Sequence, residues 1–133
     1  IKGVAITRVP FTSASIFPIL AIAAYYAGLG DGLFSVTSLL LAVFGVLLLH
    51  LSSNVFNDYF DVSDGTDEAN NDYFQPGGAA ITGGSRAIEL GIITLNKTKT
   101  VAISLLIASL SFAGLLFYNI YQVTVLPLML RVL

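Results

Sequence analysis

The chain has 133 residues, of which 56% are hydrophobic and 11% charged, with a formal net charge of −2. Soluble domains carry roughly 25% charged residues, so this composition and a mean hydropathy of +0.86 exclude an ordinary water-soluble fold. Six Lys and Arg spread along the chain form no patch for nucleic acid, and the absence of Cys excludes a disulfide framework and thiolate chemistry.

The uncharged runs place the membrane segments. Residues 9–30, 32–57 and 100–130 contain no Asp, Glu, Lys or Arg. A hydrocarbon core of about 30 Å needs roughly 20 apolar residues of helix. The first run supplies one span. It lacks the small-residue cleavage site of a secretory signal, and a second apolar run follows at once. The second run supplies another span. The third supplies a span over about 101–117, then a polar break at Tyr118, Asn119, Ile120, Tyr121 and Gln122, then the start of a fourth apolar segment. The predicted fold is an all-α, polytopic transmembrane helical bundle lying in the lipid bilayer. The chain starts at Ile1 without Met and stops at Leu133 inside an apolar run, as expected of a piece of a longer protein.

Orientation follows from the basic residues, which favour the cytoplasmic side. Lys2 and Arg8 precede the first span, and Arg86, Lys97 and Lys99 lie between the second and third, whereas residues 28–32 carry none. The N-terminus and the long connection are therefore expected in the cytoplasm, with residues 1–133 forming one transmembrane domain and residues 58–99 a cytoplasmic loop. That loop is far longer than the usual 2 to 8 residues between bundle helices. Its first part, 58–82, is polar, while 85–94 carries apolar Ile88, Leu90, Ile92 and Ile93 and suits a short interfacial helix. Thr94 or Asn96 is placed to cap the third span.

Six of the eight acidic residues (Asp58, Asp61, Asp64, Asp67, Glu68 and Asp72) fall in one segment just after the second span. If the helix continues past Asn54, then His50, Asn54, Asn57 or Asp58, and Asp61 recur at spacings of three and four and share a face. Clustered carboxylates repel and are costly near lipid, so a cation is expected among them. Mg²⁺ typically takes one or two carboxylates and bridges to substrate phosphates, which suits Asp58 and Asp61 one turn apart. An EF-hand does not fit, because counting back from Gly65 puts its first ligand at Phe60. The bland alternative is a solvated acidic loop. A second feature is TGGSRAIELG at 82–91, where Gly83 and Gly84 permit close backbone approach and Arg86 offers a bidentate phosphate partner. A Gly-Gly turn before a helix is more often only a turn.

Asn57-Asp58-Tyr59-Phe60-Asp61 followed by Gly65-Thr66-Asp67 resembles the first aspartate-rich motif of the UbiA superfamily of intramembrane prenyltransferases. It is most similar to the branch that prenylates dihydroxynaphthoate in menaquinone biosynthesis. Gly83-Gly84-Ser85-Arg86 is similar to the same branch, and Arg8-Val9-Pro10-Phe11-Thr12 resembles the Arg-Pro-Phe-Thr opening of the family's first helix. The resemblance spans about residues 7–100. The wider family often places its last Asp where Gly65 stands here, flanked instead by Asp64 and Asp67. The family fold has nine transmembrane helices and a second aspartate-rich motif, so this chain holds at most half of the resembled site.

The resemblance implies Mg²⁺-dependent transfer of a polyprenyl group from prenyl diphosphate to an aromatic quinone precursor. It implies catalytic roles for Asp58 and Asp61 and metal contacts from Asn57, Asp58, Asp61 and Asp67. Diphosphate contacts would come from Asn57, Arg86 and Arg8, and the setting would be a bacterial inner membrane. Asn54 would orient the site. His50 has the plainer reading of a hydrogen-bonded helix histidine. Tyr25, Tyr26, Phe44 and Phe56 would line an isoprenoid cavity or simply pack. The competing reading is a non-catalytic half-length subunit that holds quinone or lipid beside other membrane subunits of a respiratory or photosynthetic complex. A channel is disfavoured, since the spans carry no carboxylate pathway.

Overall fold

The structure is a computed structural model that describes residues 12–30, 32, 34–64, 88 and 91–132. Among the described residues all regular structure is helical. α1 is Ser13–Leu29 and closes at Gly30, whose left-handed φ of 66° is a conformation glycine adopts without steric penalty. α2 is Val36–Ser63. Ser35 caps it, its hydroxyl accepting from the Ser38 amide at 3.2 Å. α3 is Leu95–Ile120. Of the two residues placed to cap it, Thr94 does so, its hydroxyl accepting from the Lys97 amide at 3.4 Å and its carbonyl from the Thr98 amide at 2.9 Å.

The expected break at 118–122 is not a break. α3 passes into a π turn, Tyr121–Val125, and then into α4, Leu126–Val132, with the Leu126 amide donating to the Tyr121 carbonyl. Lipid offers no partner to a free amide, so polar side chains alone do not open a helix there. Asn119 is accommodated as a side chain instead, accepting from the Ser38 hydroxyl at 2.9 Å. The expected fourth segment is thus a continuation of the third. The helical path Leu95–Leu130 has 36 residues and α2 has 28, and both are apolar and long enough to cross a membrane. α1 is equally apolar, and its 17 residues place it at the short end for a span, about 26 Å.

The long connection is shorter than expected, because residues 58–63 belong to α2 and 95–99 to α3. Of the helix expected over 85–94, residues 85–87, 89 and 90 lie outside the described residues. Its described part is a turn, in which the Gly91 amide bonds the Ile88 carbonyl at 2.9 Å and Gly91 has φ 68°. A left-handed glycine ends rather than extends a helix.

The chain divides into two compact units. In the unit of residues 1–10 and 51–105, Val55 and Ala102 are fully buried, with Phe56, Ile93 and Leu105 around them. There Ser52 donates to the Ala102 carbonyl at 2.8 Å, joining α2 to α3. In the unit of residues 11–50 and 106–133, Ser109 donates to the Gly45 carbonyl at 2.9 Å and Phe44 meets Phe112 at 5.9 Å. The pairs 38/119, 44/112 and 45/109 run the two helices antiparallel within that unit. Small side chains and buried hydroxyls hold these contacts, as expected where lipid removes the hydrophobic drive between helices. Only 11% of the most apolar stretch of either long helix is buried. The large apolar side chains therefore face outward, the inverse of a soluble core.

Candidate functional site at the carboxylate end of α2

The helix does continue past Asn54 to Ser63, which puts Asn57, Asp58 and Asp61 on its last turns. Asn57 is exposed, Asp61 half-buried and Asp58 only 3% exposed. The Asn57 amide donates to Asp61 Oδ2 at 2.6 Å, one helical turn away. Asp64, just beyond the helix, is exposed and accepts from the Ser63 hydroxyl at 3.1 Å.

Electrostatics make this an unusual place for acids. The C-terminal end of a helix carries negative partial charge and favours cations, yet the last turn of α2 contains no basic residue and Asp61 lies within it. The arrangement gathers negative potential where the helix leaves its apolar stretch, and it suits a cation. Among the described residues no three His, Cys, Asp or Glu side chains gather as a self-contained metal site. The donors present are two carboxylates and one amide, all of them hard oxygen ligands. They fit Mg²⁺ completed by water and phosphate. Asp67, Arg8 and Arg86 lie outside the described residues.

The other expected residues divide. His50 Nδ1 lies 2.8 Å from the Ser15 hydroxyl, so the hydrogen-bonded reading describes it, while Nε2 is buried with no partner among the described residues. Asn54 is half-buried. Phe44 packs on Phe112, Phe56 stacks on Phe60 at 6.1 Å, and Tyr25 meets Tyr26 edge-on at 5.7 Å. Of these four aromatics Tyr26 lines a cavity of about 450 Å³, together with Ile22, Ser35, Ser38, Leu116 and Val123 among others. The serines escaped sequence reasoning because isolated hydroxyls in an apolar run carry no periodic signal. Lys99, which sequence reasoning used only for orientation, has its ammonium 5.9 Å from the centre of the Tyr59 ring, within cation–π range.

The sequence profile of the UbiA prenyltransferase family matches residues 15–132. The chain belongs to that family, whose members are integral membrane proteins. Searches of curated proteins and of solved structures found no match.

Proposed function

We propose, taking membership of the UbiA prenyltransferase family as the premise, that this chain forms the first part of an enzyme that moves a polyprenyl group from its diphosphate to an aromatic acceptor. The acceptor class is a dihydroxynaphthoate-like quinone precursor, on the strength of Asn57-Asp58-Tyr59-Phe60-Asp61 and Gly83-Gly84-Ser85-Arg86. The observation that carries the reading is the set Asn57, Asp58 and Asp61 on the closing turns of a membrane-length apolar helix. Such an end can hold a diphosphate in the headgroup layer while its isoprenoid tail remains in hydrocarbon. Residues 1–133 act as one transmembrane part, with the carboxylates on the cytoplasmic face of a bacterial inner membrane.

Asn57, Asp58, Asp61 and Asp67 would hold Mg²⁺, which when bound supplies positive charge that neutralises a leaving diphosphate. The chain's own contribution is preorganisation. The 2.6 Å hydrogen bond from Asn57 fixes the Asp61 carboxylate and leaves its second oxygen uncommitted to Asn57. Asp58, almost out of contact with solvent, acts where charges are poorly screened. Arg86 and Arg8 contribute forked donors to phosphate oxygens. The bond that breaks joins the allylic carbon to the diphosphate oxygen, and its electron pair leaves with the diphosphate. The aromatic carbon then bonds the allylic cation and the ring loses a proton. Stabilising the departing charge is the main catalytic demand.

The test uses the full-length protein in detergent with radiolabelled prenyl diphosphate and a dihydroxynaphthoate acceptor. Product should form with Mg²⁺ and disappear with a chelator. Asp58→Ala and Asp61→Ala should each lower turnover by at least about a hundredfold, the scale of losing one preorganised electrostatic contact. Wild-type turnover in either variant, or product formed regardless of chelator, overturns the assignment.

A further inference from the structure

The cavity of about 450 Å³ is built from residues of a single compact unit and includes neither Asp58 nor Asp61. Its size is that of a small-molecule site, and such sites combine apolar walls with a few polar groups. Most of its walls are aliphatic, from Ile22 to Leu116, and among the described residues no carboxylate, amine, guanidinium or imidazole lines it. Such walls favour an uncharged occupant.

The hydrogen-bonding groups narrow the occupant further. Ser38 spends its hydroxyl hydrogen on Asn119 Oδ1 at 2.9 Å, which leaves its oxygen as an acceptor toward any further partner. Ser35 accepts from the Ser38 amide at 3.2 Å and retains its own hydroxyl hydrogen as a donor. Val123 also lines the cavity, inside the π turn. In an α-helix its carbonyl would accept from the amide of residue 127, which is proline and has none. π turns inside α-helices are frequent at functional sites. The group that matches an acceptor beside a donor is a hydroxyl. A ketone or quinone carbonyl could accept from Ser35 or Tyr26 but offers no hydrogen to Ser38, so a hydroxyl suits the pair of serines better.

We propose that this cavity binds an uncharged phenol or alcohol on an apolar body, its hydroxyl bridging Ser35 and Ser38. The inference goes beyond the prenyl-transfer reading and does not need it. The same chemistry has two sources, a prenylated hydroxyaromatic molecule and an isoprenoid alcohol of the membrane.

The test measures equilibrium binding of tritiated 4-decylphenol to the full-length protein in nanodiscs, corrected for partition into empty nanodiscs. Saturable binding is expected. 4-Decylanisole, its methyl ether, should compete about tenfold less well, the scale of losing one hydrogen bond in a dry site. Ser38→Ala should weaken the phenol by a similar factor, and Ala42→Phe, which fills the cavity, should abolish saturation. Geranylgeraniol as competitor separates the two sources. Stronger competition than unlabelled 4-decylphenol assigns the isoprenoid alcohol, and weaker competition the hydroxyaromatic molecule. Asp58→Ala should bind the phenol as the wild type does, so loss of prenyl transfer in that variant leaves this inference intact. Binding no greater than to empty nanodiscs, equal competition by phenol and ether, or binding untouched by both cavity variants overturns the proposal. So would loss of phenol binding in Asp58→Ala, which would place the ligand among the carboxylates.

Discussion

A histidine within a membrane-length helix must find its hydrogen bonds in the protein, because hydrocarbon supplies none. His50 finds one through Nδ1 at Ser15, and its Nε2 is already without a partner among the described residues. Removing the Ser15 hydroxyl would strand the second nitrogen as well. Ser15→Ala is therefore expected to lower stability by about 1 kcal/mol, whereas Ser15→Ala with His50→Leu should recover most of that loss, because an apolar pair leaves nothing unsatisfied. Thermal unfolding of the full-length protein in detergent checks this. A double variant less stable than Ser15→Ala would show that the ring matters by its shape and not by its hydrogen bond. At this scale the sequence was informative about spacing and silent about environment. The three-and-four pattern placed Asn57, Asp58 and Asp61 together, and the helix to Ser63 agrees. The near-complete burial of Asp58 beside an exposed Asn57 depends on what packs against each, which no single-chain pattern encodes.

Among the elements, the helices themselves were legible and their interruptions were not. Uncharged runs of membrane length fixed α1, α2 and α3, since a bilayer leaves the backbone little choice but helix. The polar cluster at 118–122 reads as a break between two apolar segments because polar residues usually mark one. Here Asn119 is bonded to Ser38 and the backbone absorbs the irregularity as a π turn ahead of Pro127. The close approach of α2 to α3 at Gly45 was equally hidden, because a glycine in an apolar run carries no signal of what packs on it. A Cβ at Gly45 would stand 3.4 Å from Phe112 Cβ and 3.9 Å from the Ser109 carbonyl oxygen. A methyl there makes ordinary contact, and a longer side chain collides with α3. Gly45→Ala should leave the melting temperature nearly unchanged, while Gly45→Leu should cost roughly 1–3 kcal/mol, the range for overpacking a tight contact. Equal stability of the two variants would mean that α2 and α3 do not approach closely at this point in the membrane.

For the whole molecule, the decisive arrangement is the sidedness of the carboxylate end of α2. Five basic residues, Lys2, Arg8, Arg86, Lys97 and Lys99, flank α1 and the connection from α2 to α3, and the short connection from α1 to α2 has none. Each such residue biases its segment toward the cytoplasm, and short loops obey the bias most strictly. A site that uses a charged diphosphate benefits from facing the side on which charged metabolites are made, because a diphosphate cannot cross hydrocarbon. Residues 1–133 contain no cysteine, so once any cysteine elsewhere in the full-length protein is replaced, a single introduced thiol reports its location without background. In intact cells expressing the full-length protein, a cysteine at the exposed Asn96 position should resist a membrane-impermeant maleimide until the membrane is opened. A cysteine inserted between Gly32 and Leu33 should be labelled from outside at once. The reverse pattern would put Asp58 and Asp61 on the outer face, and prenyl diphosphate made in the cytoplasm could then not reach them.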